Sequence, residues 1–274
     1  MAGIMKKSIR VALFFLGLVL VPLTGVPEGH AQDDELFATL KSKEQFAAEM
    51  SSMLEKAWKI WQDSVLINDI DVEGSRGILM PGDMGRPVLA AADITAYFDR
   101  SGKSQAYIDC VRAVAKAVEN GMRVWQKGYS HDNIPFPQGA SCSYTLPPCS
   151  NIPVTVDSGI STEERMMTEE ELYNFMLYRS PDRGKDLLIV IRGSAKAIAE
   201  CFKKWKSSCS IIVIVASGGM APQPAPMGTG PGPVRGAKGY NGKLIGTYID
   251  GALMYNIMVM YFKEQEKAKA LPDA

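Results

Sequence analysis

The sequence predicts an α+β fold that is predominantly helical, with a small sheet built around residues 186–216. Several long segments repeat apolar residues at helical spacing, and these segments follow Ser or Thr residues that suit helix N-caps. Two short runs of apolar, mostly β-branched residues, 187–191 and 211–215, have the composition of buried strands. An all-α helical bundle stays open as the alternative, because periodicity alone does not separate a short strand from a helix segment.

The two apolar runs are predicted to be the strands of a βαβ-like unit over residues 186–216. The residues between the runs place apolar side chains at helical spacing and lysines on the opposite face. Ser194 suits the N-cap of this helix because its hydroxyl can accept a hydrogen bond from a first-turn amide. The connection is long enough for a right-handed crossover between parallel strands.

A single helix over residues 186–207 is the rival interpretation of the same stretch. Most of its apolar residues also fit one helical stripe. This helix would contain Gly193 near its middle and would leave Ile189 and Val190 off the stripe. The βαβ-like interpretation is therefore the prediction.

Three further helices are predicted from capping residues and apolar spacing. A capping box begins at Ser42, and the amphipathic helix that follows is expected to end near Asn68. A second helix begins at Ser104 and stops at Gly128. A short helix follows Thr168, whose acidic first turn complements the helix dipole.

Loop-rich segments separate these helices. A short strand is predicted at residues 77–80 and an edge strand at residues 154–156. Residues 129–161 carry five prolines and are predicted to form a long loop. Long ordered loops in compact domains are often functional, so this loop is a candidate contact surface.

The amino terminus has the three regions of a secretory signal peptide. Basic residues within the first ten positions precede an apolar run at 11–21, and residues 29–31 provide small side chains at the cleavage positions. The apolar run is too short to span a membrane comfortably, although an uncleaved anchor is the alternative. The prediction is a signal peptide at 1–31, a main globular domain at 32–217, and a periplasmic or secreted protein.

The cysteines are predicted to form disulfides, because an exported protein folds in an oxidising compartment. The chain has five of them: Cys110, Cys142, Cys149, Cys201 and Cys209. Cys142 and Cys149 bracket a proline-rich loop and are the natural first pair. Cys201 and Cys209 are candidates for a second bridge, or one of them pairs with Cys110. Sequence does not fix this connectivity, and one cysteine is left over.

The C-terminal third combines a glycine- and proline-rich segment with a helix. Residues 218–242 are predicted to be a mobile linker or lid, because their composition cannot bury enough apolar surface. Residues 243–274 are predicted to be a helix that packs back on the main domain. Membrane association through residues 244–262 is not favoured, because Asp250 would place a charge near the middle of a bilayer.

A weak site for a small anionic ligand is predicted where each central strand is followed by a glycine turn. Ligands of open α/β sheets collect beyond the carboxyl ends of strands, and helix N-termini favour anions. The favoured interpretation is that the turns only let the chain leave the sheet, since no complete phosphate loop is present. The candidate ligand-binding residues are Arg192, Gly193, Ser194, Ser217, Gly218 and Gly219.

The sequence has few of the residues that metal binding and catalysis require. The two histidines are His30, which lies in the signal peptide, and His131, so the sequence predicts no metal site, no cofactor and no catalytic residue. Lysine plus arginine balance aspartate plus glutamate at 30 each. Such a balance gives no long-range attraction for nucleic acid. An enzyme is therefore less expected than a non-enzyme.

The sequence predicts an exported, non-enzymatic interaction or structural protein of the periplasm or envelope, with a protein partner. A component of an envelope-associated secretion or conjugation apparatus is one form that such a protein takes. The alternative is a module that binds a small anionic ligand at the glycine turns. Amphipathic helices, a loop bracketed by cysteines and the lack of a catalytic constellation motivate the first prediction.

Overall fold

A computed structural model of the chain describes residues 36–73, 76–135, 154–157, 159–180, 184–213, 215–217, 237–240 and 242–270. The helices in these ranges are α1 (Leu40–Ser64), α2 (Ala91–Thr95), α3 (Gln105–Gly128), α4 (Glu169–Arg179), α5 (Lys185–Ser208) and α6 (Gly251–Ala270). A 3-10 helix, Glu164–Met167, precedes α4. The strands are β1 (Leu66–Ile67), β2 (Ile70–Glu73), β3 (Arg76–Leu79), β4 (Tyr129–Pro135), β5 (Val154–Asp157), β6 (Ile160–Ser161), β7 (Ser210–Val213), β8 (Val215–Ser217), β9 (Ala237–Tyr240) and β10 (Gly242–Ile245).

The predicted fold class, α+β and predominantly helical, is confirmed. The strands form a four-stranded sheet in the order β1-β10-β7-β5 and a six-stranded sheet in the order β6-β4-β3-β2-β9-β8. Every pairing between these described strands is antiparallel. The βαβ-like unit predicted at residues 186–216 is therefore wrong, since it requires two parallel strands.

The first strand of that unit is replaced by helix. Residues 187–191 lie in the first turns of α5, so the rival interpretation of one helix is the one that the structure has. α5 packs between α4 and α6, and the side chains of the run point into the core from more than one side. A helix buried between neighbours needs apolar residues around most of its circumference, and this composition resembles that of a buried strand.

Gly193 and Ser194 lie inside α5 and not at a turn. A Cβ atom at Gly193 would lie 2.5 Å from Cε1 of Phe262, so the glycine permits the close crossing of α6. The Ser194 hydroxyl donates a hydrogen bond to the carbonyl oxygen of Val190 at 2.8 Å, as serines inside helices commonly do. The predicted N-cap at Ser194 is wrong, because α5 begins after Gly184.

The second apolar run is confirmed as extended chain, since β7 and β8 cover residues 210–213 and 215–217. β7 pairs with β10 in one sheet and β8 pairs with β9 in the other. Residues 237–240, which fall in the predicted linker or lid 218–242, are therefore strand; residues 218–236 lie outside the described residues.

The C-terminal helix begins later than predicted. Residues 242–245 form β10, and α6 begins at Gly251, where the Asp250 carboxylate accepts a hydrogen bond from the Leu253 amide at 2.8 Å. α6 packs against α1 and α5. In the part of the chain that the structure describes, no helix is both long and apolar enough to cross a membrane.

Several predicted boundaries hold. Ser104 and Thr168 are the N-caps of α3 and α4, and α3 ends at Gly128. Residues 154–156 lie in β5, at the edge of the four-stranded sheet. α1 is capped by Thr39, three residues before the predicted Ser42, and it ends at Ser64 because the chain turns into β1.

Aromatic rings fill the centre of the protein. All four tryptophans of the chain take part, and they come from α1, α3 and α5. Neighbouring centroids lie 5.0 to 6.2 Å apart, mostly in edge-to-face arrangements. The members of this aromatic cluster are Trp58, Trp61, Trp125, Tyr129, Phe202 and Trp205.

A charged cluster joins three helices near the N-terminal ends of α1 and α5. The Lys43 side chain of α1 is fully buried, and its Nζ lies 2.8 Å from a carboxylate oxygen of Asp186 on α5 and 2.8 Å from one of Glu266 on α6. Lys269 of α6 binds the same two carboxylates at 2.6 and 3.2 Å. Buried charge is tolerated only where it is paired in this way.

Three of the five cysteines lie in the described residues, and all three are buried free thiols: Cys110, Cys201 and Cys209. The candidate bridge between Cys201 and Cys209 is not formed in this structure, and neither of them pairs with Cys110. The candidate pair Cys142 and Cys149 lies outside the described residues. Burial raises the pKa of Cys201 and of Cys209 to about 12, and it raises that of Cys110 well above the usual range.

We expect these three thiols to resist alkylation in the native protein, because the thiolate is the nucleophile and burial suppresses it. Iodoacetamide at neutral pH followed by peptide mass mapping should find Cys110, Cys201 and Cys209 modified only after denaturation, while glutathione in the same tube reacts fully. Native modification of any of the three at the rate of glutathione would show that its burial is wrong.

Candidate functional site

The predicted anion site is described only in part, and its residues Arg192, Gly193 and Ser194 lie within α5. The Arg192 side chain binds acids of α4, with nitrogen–oxygen distances of 2.8 Å to Glu169 and 3.0 Å to Glu170. These carboxylates outweigh the effect of partial burial and raise the pKa of Arg192 above its usual value. Gly193 and Ser194 are buried in α5. The predicted turn at these three residues is therefore wrong.

The second half of the predicted site lies elsewhere. Ser217 is the last residue of β8, in the six-stranded sheet. Gly218 and Gly219 lie outside the described residues. Arg192 and Ser217 thus belong to a helix and to a sheet that the prediction wrongly joined as one βαβ-like unit.

A cluster of exposed apolar side chains on α1 is the candidate functional site. Seven large apolar side chains of the described residues are exposed: Ile60, Met80, Tyr97, Ile160, Tyr178, Tyr248 and Met260. Three of them lie on or against α1: Ile60 is part of this helix, the Tyr97 ring lies near Lys56, and Tyr248 contacts Lys59 and Asp63. We call these three residues the α1 patch. Scattered exposed apolar residues are ordinary, whereas a group of them on one surface indicates binding.

The patch includes a cleft of about 240 Å³ between α1 and the segment that leads into and out of α2. Ile60 stands on its α1 side, Tyr97 on its α2 side, and Pro87 and Val88 form an end. Ile60 is 57% exposed and Tyr97 is 42% exposed. Apolar side chains therefore line an open concavity that the described part of the chain does not cover.

Buried hydrogen bonds fix the Pro87 end of the cleft. The Pro87 carbonyl oxygen accepts one hydrogen bond from the Trp61 indole nitrogen at 3.1 Å and one from the Gln126 amide nitrogen at 3.2 Å. Trp61 belongs to α1 and Gln126 to α3, and both are buried. Two helices of the core thus hold this loop, so the cleft is preformed.

Glu119 of α3 holds the α2 side of the cleft. Its carboxylate accepts hydrogen bonds from the Ala91 amide at the start of α2, at 3.3 Å, and from Lys116 at 2.7 Å, and it also pairs with Arg123. Burial raises the pKa of Glu119, but these partners outweigh it and hold the pKa below the usual value. The ionised carboxylate thus anchors the helix that is followed by Tyr97.

Charged groups of α1 surround the patch. The Lys56 ammonium lies 5.9 Å from the ring centroid of Tyr97, and that of Lys59 lies 5.0 Å from the ring of Tyr248. The Tyr248 hydroxyl donates a hydrogen bond to Asp63 at 2.9 Å, which raises the pKa of that phenol. Contacts of this kind limit the motion of the two rings, so their contact surfaces are partly preorganised.

This arrangement has the anatomy of a small protein interface. Tyrosine is enriched in interface cores because it buries a large rigid area at a low entropic cost, and a charged rim around an apolar centre is typical. Within the described residues, no group of three histidines, cysteines or acids is close enough to hold a metal ion. His131 is half-buried in β4 and not in the expected loop.

The sequence contains one signal for this patch outside the apolar periodicity of α1. Ile60 lies off the apolar stripe of α1, between the exposed Lys59 and Asp63. A single apolar residue on the polar face of a helix is ordinary, so this signal alone does not identify a binding surface. Tyr97 and Tyr248 are distant in sequence, so only the fold brings both of them to α1.

Comparison of the chain with protein-family models, with curated proteins and with solved structures found no match in any of the three.

Proposed function

We propose that this chain is an exported, non-enzymatic protein that works in the periplasm or envelope by binding another protein. The basic and apolar amino terminus supports export. The α1 patch supports binding, because it presents two tyrosines and an isoleucine that are exposed among the described residues. Membership of an envelope-associated secretion or conjugation apparatus is consistent with such a role and is the form in which we propose it.

The α1 patch is the observation that carries the proposal. Its cleft is backed by Trp61 and Gln126, so a partner would meet a rigid surface and would not have to order it. Binding energy in interfaces concentrates in a few side chains at a central pocket, with tyrosine among the most frequent. We place Ile60 and Tyr97 at that centre and Tyr248 at its margin.

A photocrosslinking amino acid at position 60 or 97 is expected to capture one partner in the cells that make the protein. The same amino acid at position 178 serves as the control, because Tyr178 is 81% exposed and belongs to α4. Mass spectrometry identifies the captured protein. The same cells should yield a periplasmic chain that begins at Gln32 if the proposed export is right.

Ile60→Glu and Tyr97→Glu are each expected to weaken binding of the purified partner at least tenfold, which corresponds to about 1.4 kcal/mol. Met260→Glu is the matched control, since Met260 is 63% exposed on α6 and lies outside the patch. Isothermal calorimetry gives the dissociation constants, and melting temperatures check the fold. The proposed surface would be contradicted if Ile60→Glu and Met260→Glu weakened partner binding equally, or if neither weakened it.

A further inference from the structure

A second cleft, of about 410 Å³, lies between α5 and the segment that joins the 3-10 helix to α4. Met167, Ala199 and Phe202 form its floor, and most of the surface inside the cleft is apolar. Met167 and Phe202 are almost fully buried, so the floor is continuous with the core. This volume is within the range that small-molecule sites occupy.

The rim of the cleft combines paired and unpaired charges. Glu164 is bound by Lys206, and Glu169 shares the guanidinium of Arg192 with Glu170, so both acids of the rim are paired. Lys196 and Lys203 of α5 also line the cleft, and neither forms an ion pair with a described residue.

Glu200 is the one acid of the rim without an ion pair among the described residues. It lies between Lys196 and Lys203 on α5, so these three residues together contribute one net positive charge to that side of the cleft. An apolar floor with a cationic edge is complementary to a molecule that has an apolar body and one anionic end.

We propose that this cleft binds a fatty acid of medium length, with the alkyl chain on Met167, Ala199 and Phe202 and the carboxylate at Lys196 and Lys203. Burial of the chain supplies affinity, and each methylene added within the cleft tightens binding by up to roughly fourfold. The lysine ammoniums select the anionic end over a cationic one. The site is separate from the α1 patch, so it does not depend on the proposed protein partner.

Phe202, in the floor of the cleft, packs against two tryptophans whose fluorescence can report binding. The Phe202 ring centroid lies 5.6 Å from that of Trp125 and 5.6 Å from that of Trp205. Displacement of Phe202 by a bound chain would therefore change the environment of two indoles. Tryptophan fluorescence can report occupancy without a label.

Titration of the protein, purified as the cell makes it, with decanoate below its micelle-forming concentration tests the proposal. We expect saturable binding with a change in tryptophan fluorescence, and octanoate should bind several-fold more weakly. Decyltrimethylammonium has the same chain length and the opposite charge, so it should bind at least tenfold more weakly than decanoate. Equal binding of the two, or no saturable binding of decanoate, would overturn the proposal.

A pair of adjacent lysines provides the matched variants. Lys203→Gln should weaken decanoate binding about fivefold or more, because Lys203 lines the cleft. Lys204→Gln should leave it unchanged, because Lys204 is next along α5 but faces another depression, beside Asp250. Both lysines are exposed, so neither change should affect folding.

A steric variant tests the floor itself. Ala199→Trp should fill the cleft and abolish decanoate binding, whereas Ala48→Trp, at an exposed position of α1, should not. Equal effects of the two lysine variants, or full decanoate binding by Ala199→Trp, would show that decanoate binds elsewhere and would reject the site.

Discussion

Changing Asp186 to Asn and Glu266 to Gln together is expected to lower the free energy of unfolding by about 3–5 kcal/mol, because it leaves a buried ammonium group without a counter-charge. Lys43 is that group, with its side chain fully buried and its Nζ 2.8 Å from both carboxylates. Chemical denaturation followed by circular dichroism measures the loss. A loss below about 1 kcal/mol would contradict the role given to this cluster.

The best control is an exposed ion pair between two of these three helices, α1 and α6. Glu44 of α1 and Lys263 of α6 lie 3.3 Å apart, one residue beyond Lys43 and three before Glu266, but their side chains are 31% and 52% exposed. Water screens this pair, so Glu44→Gln should cost less than about 1 kcal/mol. The contrast tests whether the large loss requires a buried ammonium group, since Glu44→Gln also removes a carboxylate that pairs with a lysine.

The charged cluster also predicts an acid-dependent loss of stability. A hydrogen bond from Lys43 lowers the pKa of Glu266 below its usual value, although burial opposes this effect. Burial raises the pKa of Asp186, but hydrogen bonds from Lys269 and Lys43 outweigh it, so this pKa is also below its usual value. Both carboxyl groups therefore have a lower pKa in the folded protein than in the unfolded protein. Their stabilisation is fully present above the unfolded pKa values, near 4, and disappears as the pH falls through the lower folded values.

The doubly substituted protein lacks these two carboxyls, so it should lose less of its remaining stability than the wild type over that acidic interval. Urea titrations at pH 6 and at about pH 3 provide the comparison. A wild-type protein that loses no more stability than the variant over this interval would contradict the assignment of these two groups.

The sequence predicted the starts of α3 and α4 because these depend on local chemistry. Ser104 and Thr168 each accept a hydrogen bond from an amide three residues on, and their side chains reach that amide without help from the rest of the fold. The start of α6 had the same kind of signal in Asp250. That aspartate was interpreted only as a charge within an apolar run, so the helix was placed too early.

The errors at α5 have a tertiary cause. Ile189 and Val190 are off the stripe that a surface helix would bury, yet both are buried here because α5 has neighbours on more than one side. Gly193 argued against a helix by its low propensity, but the fold uses its missing side chain to admit the Phe262 ring. Neither contact can be seen in a local window of sequence.

The sheets and the α1 patch depend on partners far apart in the chain. β2 pairs with β9 across more than 160 residues, so local alternation gave little indication of either strand. Tyr97 and Tyr248 reach the same helix surface from opposite parts of the sequence. Of the three patch residues, only Ile60 had a local signal in the sequence, and that signal does not identify Tyr97 and Tyr248 as its partners in the patch.

Trp205→Ala is expected to reduce the free energy of unfolding by about 3–5 kcal/mol, because it opens a large cavity in the aromatic cluster. Trp205 is 2% exposed, and its ring lies 5.0 Å from that of Trp58 and 5.8 Å from those of Trp61 and Trp125. It therefore joins rings of α1 and α3 to its own helix, α5. Urea denaturation measures the loss, and Tyr178→Ala, at an exposed position, should change stability by less than about 0.5 kcal/mol.

Two smaller substitutions separate the free-energy cost of the cavity from that of the lost hydrogen bond. The Trp205 indole nitrogen donates to the Gln62 side-chain oxygen at 2.7 Å, and Gln62 is itself buried. Trp205→Phe keeps much of the ring volume but leaves that oxygen unsatisfied, which costs about 1–3 kcal/mol. Adding Gln62→Met removes the stranded oxygen and should restore part of the loss, because deleting both partners is cheaper than deleting one. If the double variant is as unstable as the sum of the two single variants, the indole–amide bond does not couple α1 to α5.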